Sequence, residues 1–442
     1  MNSTKLSKRI WFNLILFGFM GQVAWAVENV YFNTFLFNYI GGTTRDISRM
    51  VALSAVTAVL AAFVMGTLSD KLGRRKVFIS AGYIAWGITV TAFALISREN
   101  IARILPREAN VLAVTVSVVI IMDCVMTFMG ATSNDAAFNA WITDVTVPEN
   151  RGVAEGALAT LPILATVFVT AAFGAGVTAA GYPACFLLLG LLVSLCGVVG
   201  LFSIRESKIE RTPGGSYLSD LFYGFRPSVI KENRELYLSL SAVCVFSVAV
   251  QIFLPYLFIY IQHFLKFDFN SLLENMSAKT VAAAAGAIVG FVAVTVLLGK
   301  LLDKVGKGRF IALSILVFIA GLVLASHART IGVFGLLALI MLCGYGLLMI
   351  ILNASVRDFT PESKAGQFQG VRMIFFVLLP MVIGPFAGNR VIEAFAGNYE
   401  VSLYINDFGE AVSAPVPEIF LAAAVTAALI FLPIIPMRKK FK

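Results

Sequence analysis

Three acids of this sequence stand where ionised side chains are costly. Glu28, Asp123 and Asp135 lie well inside long apolar runs, and no Lys or Arg shares the first-half runs with them. A charge at the centre of a bilayer costs about 2.5–3.5 kcal/mol on insertion scales, so three uncompensated ones would cost on the order of 8–10 kcal/mol. Each must be protonated, hydrated in a cavity or paired with a ligand cation. A carboxyl whose protonation or ion occupancy changes between states is what proton or cation coupling needs. Asn139 follows Asp135 by one helical turn and shares its face. Asn134 follows Asp123 by three turns and shares another. Around Glu28 stand Gln22, Trp25, Asn29, Tyr31 and Asn33. Trp25 could stack on the apolar face of a sugar-like solute while Gln22 and Asn29 bond its hydroxyls. The same residues also suit ordinary helix packing and interhelix amide bonds. In the second half the polar intramembrane residues are neutral: Gln251, Tyr256, Tyr260 and Gln262, then Tyr345 and Asn353. Pro255 should break its helix and free backbone groups beside a cavity. The division suggests a coupling half and a hydroxyl-binding half. His263 and His327 fall near the ends of runs and read as interfacial.

These residues need a scaffold, and composition names its class. Of 442 residues, 59% are hydrophobic and 13% charged, with a mean hydropathy of +0.88. Soluble domains have about 45–50% apolar and about 25% charged residues. A soluble enzyme, a disordered chain and a disulfide scaffold are excluded. Twelve apolar runs can be read at about 10–39, 50–69, 77–96, 111–141, 154–179, 182–204, 236–261, 279–298, 311–326, 331–356, 371–387 and 417–435. Each is of the order of the roughly 20 residues that span a bilayer. An even number puts both termini on one side. With them in the cytoplasm, inside segments carry 24 Lys and Arg and outside segments 9. That asymmetry is the orientation rule of inner-membrane proteins. It assigns the net charge of +9 to the bilayer surface rather than to nucleic acid. The five cysteines (Cys124, Cys185, Cys196, Cys244 and Cys343) lie inside apolar runs without metal spacing. No cofactor or metal is expected, no Gly-x-Ser-x-Gly or phosphate loop suggests an enzyme, and a monomer is expected. The N-terminal run lacks a cleavage site and reads as a first spanning helix. The long loop at about 388–416 is net acidic and reads as solvated, with a lid as the other reading.

An internal repeat orders the runs. Gly66-Thr-Leu-Ser-Asp70-Lys-Leu-Gly73-Arg74-Arg75 returns 233 residues later as Gly299-Lys-Leu-Leu-Asp303-Lys-Val-Gly306-Lys307. Asn139-Ala-Trp-Ile-Thr-Asp144-Val-Thr146 returns after 214 residues as Asn353-Ala-Ser-Val-Arg-Asp358-Phe-Thr360. Val27-Glu28 faintly matches Val250-Gln251. The chain therefore reads as a six-helix bundle over 1–204, a cytoplasmic central loop over 205–235 carrying Thr212-Pro-Gly-Gly215, and a second six-helix bundle over 236–442. Parallel halves around a cavity are a transporter architecture. The repeated loops place carboxylates beside cations on the inner face, where ion pairs could close a gate in one state and open it in another. Arg372, at the start of the eleventh run, could pair with Asp70 or Asp144 or extend to the surface.

The loop 66–76 and its copy resemble the loop signature of the major facilitator superfamily, and with the six-plus-six layout the resemblance covers nearly the whole chain. It implies an all-α polytopic fold of twelve spans and a carrier that rocks two halves. Asp135-Ala-Ala-Phe-Asn139-Ala140, Asp144-x-Thr-x-Pro148-Glu149 and Arg226-Pro227 through Asn233 are similar to the glycoside–pentoside–hexuronide:cation symporters. That likeness implies a sugar-binding role for Asp135. The second run lacks the carboxylate pair those symporters use for sodium, which favours protons over sodium. The fifth run lacks the Gly-Pro pair of drug:proton antiporters; Gly384-Pro385 lies in the eleventh. The expected activity is symport of a sugar or glycoside with a proton or sodium ion by alternating access in the cytoplasmic membrane. Export of an amphipathic, lipid-like or drug-like solute is the alternative.

Overall fold

A computed structural model describes residues 6–107, 110–205, 223–267, 307–361 and 368–437; a few side chains, those of Asp70 and Lys307 among them, lie outside this description. Among the described residues, ten helical segments are long and apolar enough to cross a membrane. They are α1 (Lys8–Tyr39), α2 (Thr44–Ser69), α3 (Arg75–Leu95), α4 (Val111–Val145), α5 (Gly156–Ser203), α6 (Arg234–Phe264), α7 (Phe310–His327), α8 (Ile331–Phe359), α9 (Gly370–Asn398) and α10 (Glu418–Met437). At 1.5 Å per residue, 20 residues match the roughly 30 Å hydrocarbon core. The 48-residue α5 holds the fifth and sixth runs. They join at Gly181, whose φ of +79° is closed to most other residues, followed by Pro183. The eighth run, 279–298, lies outside the described residues.

The chain divides into two compact units, Met1–Gly215 and Ser216–Lys442. In the first, α3 lies along the second part of α5, and α1 packs against the first part. Phe32, Phe35, Phe93 and Phe186 interlock between α1, α3 and α5, with ring centroids 4.4–6.3 Å apart. α2 packs against α4. In the second unit, α6 packs on α9 and α10, and α7 on α8 and α10. Leu188, Leu191 and Leu195 of α5 and Val425, Leu429 and Leu432 of α10 are exposed. In oil such side chains are solvated, so the core need not contain them.

The helix ends are built by local chemistry. Thr43 and Asp46 form a capping box that starts α2. Its helix runs on to Leu72 and stops at Gly73, whose φ of +62° gives the left-handed C-cap expected of glycine. Pro255 does break α6: a 3₁₀ turn, Leu254–Tyr256, interrupts it. α1 and α4 do not stay α-helical. Glu28–Phe32, Phe35–Tyr39 and Ala131–Phe138 are wound as π-helix. The loop before α10 is not wholly irregular. Beyond the apolar run α9 continues to Asn398, and strands β1 (Leu403–Ile405) and β2 (Ala411–Ser413) then pair antiparallel, Tyr404 opposite Val412.

Candidate functional site

The three intramembrane acids fall within one unit, on two elements. Glu28 opens the first π-helical turn of α1, Asp135 lies inside the π-helical stretch of α4, and Asp123 stands on the regular helix before it. A π turn inserts a residue into the helical ladder and is found disproportionately at functional sites.

Glu28 and Asp123 meet around two hydroxyls. Ser54 of α2 lies 3.0 Å from Glu28 Oε1, Thr127 of α4 lies 3.1 Å from the same oxygen, and the two hydroxyls are 2.7 Å apart. Ser54 also faces Asp123. Asp123, Ser54 and Thr127 are each at most 3% exposed. Among the described residues, Glu28 Oε2 and Asp123 Oδ1 are buried without a hydrogen-bond partner. Among the described residues no Lys or Arg approaches the pair within ion-pair distance. Sequence reasoning singled out both acids but missed Ser54 and Thr127. Their only signal was a hydroxyl among apolar neighbours, which commonly bonds its own backbone instead.

Asp135 belongs to a second cluster. Asn134 donates to Asp135 Oδ1 at 3.2 Å and accepts at 3.0 Å from the Tyr83 hydroxyl, which also lies 2.7 Å from the Phe17 carbonyl. The Trp25 indole faces the same carboxyl. Trp25 packs on Trp86 with centroids 5.0 Å apart. Gly130 leaves room for both rings, since a Cβ there would come 2.8 Å from Trp86 and 3.1 Å from Trp25. The expected Asp123–Asn134 face does not persist: the π winding begins at Ala131, and Asn134 turns to Tyr83 while Asp123 turns to Ser54.

The expected solute contacts divide. Trp25 is half-buried beside Asp135, and Gln22 is half-buried one turn before it. Asn29 and Asn139 are exposed, and each amide donates to the carbonyl four residues back, at 2.8 Å to Trp25 and 3.0 Å to Asp135. In the second unit Asn353 does the same to Met349 at 2.7 Å. Tyr256 is fully buried and donates to the Pro385 carbonyl at 2.7 Å, so it ties α6 to α9. Tyr345 packs on Phe246 at 5.4 Å. Gln251 lies against Gly384, where a Cβ would come 2.8 Å from its carbonyl carbon.

In the repeated loops, Arg75 is turned into the protein. Its Nε lies 3.1 Å from Asp144 and its Nη1 2.5 Å from Ser69 Oγ, and the side chain is 6% exposed. Arg74 is exposed, Gly66 lies in α2, and Gly73 caps it. Arg372 stacks on Phe376, with its guanidinium 5.4 Å from the ring centroid, and has Arg357 nearby. Asp358 is exposed at the end of α8. Asp303, Gly306 and the side chains of Asp70 and Lys307 lie outside the described residues.

Known proteins agree on the frame. The profile of the Major Facilitator Superfamily matches residues 12–385. The multi-drug resistance efflux pump PmrA of Streptococcus pneumoniae is 26% identical over 358 residues, 78% of this chain and 79% of that protein. The solved nucleoside transporter NupG superposes with a TM-score of 0.68 over all of both chains, at 13% identity. A bacterial homologue of the human lysosomal transporter Spinster, inward-facing and unoccupied, gives 0.67 at 13% identity over 99% of this chain and 98% of that one. The fold, the span of the profile match and the duplicated loops agree: this chain belongs to the Major Facilitator Superfamily and is a multi-pass membrane transporter.

Proposed function

We propose that the chain is a cation-coupled secondary transporter whose coupling site is Glu28, Asp123 and Asp135, with a proton as the favoured ion. One observation carries this reading: three carboxyls lie in the membrane part of one unit with no cation paired to them among the described residues, two of them around shared hydroxyls. A carboxyl so placed changes its interactions greatly when it gains or loses a proton. Neutralisation of the acids then favours one access state and ionisation the other, which links solute movement to the ion gradient. The favoured solute is small and polar, a sugar or glycoside, taken up by symport as in the glycoside–pentoside–hexuronide group. Trp25 beside Asp135, with Gln22 one turn away, offers an aromatic face and polar groups for it.

A second reading has its own support. The Streptococcus relative is an efflux pump, so export of an amphipathic or drug-like solute by the same acids stands beside import of a sugar. Reconstitution in proteoliposomes tests both. Under an imposed pH gradient the wild type accumulates its solute, and Asp135→Asn abolishes that accumulation while keeping the wild-type thermal unfolding profile. Unchanged transport in that variant removes Asp135 from the site. A thermal-shift panel of sugars and of lipophilic cations, run with and without sodium and across pH, separates the substrate classes.

A further inference from the structure

We infer that Ser54 and Thr127 are positioning residues that close a three-oxygen ring on Glu28 and hold its carboxyl in the protonated form in this conformation. The inference rests on the coupling role proposed for Glu28 and deepens it, because a ring that stores a proton makes the proton the coupling ion.

The ring has three edges: Glu28 Oε1 to Ser54 Oγ at 3.0 Å, Ser54 Oγ to Thr127 Oγ1 at 2.7 Å, and Thr127 Oγ1 to Glu28 Oε1 at 3.1 Å. Each edge is within hydrogen-bond range and needs one hydrogen. Each hydroxyl supplies one. The 2.7 Å edge lies at the usual length of an O–H···O bond, and two hydroxyl oxygens that close without a hydrogen between them would repel. That edge therefore uses one of the two hydroxyl hydrogens. The other can fill only one of the two edges to Glu28, and it fills neither when Ser54 turns its hydrogen to Asp123. The third edge is filled when Glu28 carries a proton on Oε1 and donates it into the ring. Neutral Glu28 then donates to one hydroxyl, which donates to the second, which donates back to Oε1. Ionised Glu28 leaves one edge empty. No bond beyond this exchange of a single proton is made or broken.

The surroundings agree. Glu28 Oε2 and Asp123 Oδ1 are buried without partners among the described residues, a modest cost for the carbonyl oxygen of a neutral acid and a large one for a carboxylate oxygen. Among the described residues, the titratable groups that face Glu28 are Asp123, Asp135 and the Cys124 thiol, and none of them brings a positive charge. Ser54 comes from α2, Thr127 from α4 and Glu28 from α1, so the ring also ties three helices together while the proton is present.

Infrared difference spectroscopy on the full-length transporter in nanodiscs tests this. The wild type at neutral pH should show a carboxylic-acid carbonyl band that disappears in Glu28→Gln. The band should weaken severalfold in Ser54→Ala and in Thr127→Val and return in Thr127→Ser, which keeps the hydroxyl. If Ser54→Ala fails to fold, the Thr127→Val and Thr127→Ser pair still decides. Absence of the band from the wild type, or the same band intensity in the hydroxyl-deleted variants, overturns the ring. Proton-driven transport is measured in parallel. If Glu28→Gln leaves it intact while the band behaves as expected, the coupling role fails and the ring stands. If Glu28→Gln abolishes it and the band is absent, the ring fails and the coupling role stands.

Discussion

At the residue scale, the molecule places hydroxyls and small side chains where the acids need them. Gly130 is the sharpest case. Its missing Cβ lets Trp86 and Trp25 close over α4, and Trp25 in turn faces Asp135. Gly130→Val should force both indoles aside, with an overpacking cost of about 1–3 kcal/mol. The expected result is a lowered thermal unfolding temperature together with loss of solute-induced stabilisation, read in one thermal-shift series. Retention of both would mean that the Trp25 position is unrelated to the solute. The amides teach a different lesson. Asn29, Asn139 and Asn353 are each expected near the solute, and each donates to the carbonyl of its own preceding turn. A spacing rule says which face a side chain leaves from; it does not say which acceptor it finds first.

At the element scale, the ends and irregular turns of helices carry the specificity. Gly73 stops the helix of α2, and α3 begins two residues later with Arg75 turned inward onto Asp144 and Ser69. Arg75 is 6% exposed and Asp144 22%, so the arginine is the more desolvated partner. Asp144→Ala should therefore destabilise the protein by about 2 kcal/mol, between an exposed ion pair and a fully buried one. Arg75→Gln, which leaves the charge on the wetter partner, should cost less. Thermal unfolding of the two variants in detergent gives the order, and the reverse order would show that Asp144 is the more desolvated group. The π-helical stretches are the element-scale feature that no periodicity announced. An extra residue in the turn at Ala131–Phe138 re-aims Asn134 and Asp135 relative to Asp123.

At the scale of the whole molecule, the chain is two compact units built on one repeated plan. A chain cut between Gly215 and Ser216 and expressed as two polypeptides should reassemble and restore transport in membrane vesicles. Failure of the halves to copurify would show that the linker does more than connect. The cation asymmetry makes a separate prediction. In intact cells a membrane-impermeant thiol reagent should label Arg103→Cys and spare Ser7→Cys. Labelling of Ser7→Cys alone would invert the topology.

The architecture was legible because its cause is local. About twenty apolar residues must form a helix in a bilayer, where unpaired backbone groups are costly. The duplicated loops, the isolation of Glu28, Asp123 and Asp135, and the break at Pro255 follow from composition and spacing alone. Only the tertiary structure joined Glu28 to Ser54 and Thr127, which are 26 and 99 residues away. It alone turned Asn134 toward Tyr83, chose Arg75 over Arg74 as the partner of Asp144, and gave the Tyr256 hydroxyl to Pro385. Hydrophobicity is a property of each residue by itself and survives in a string of letters. A hydrogen bond depends on where two groups from distant helices come to rest, and helix packing decides that.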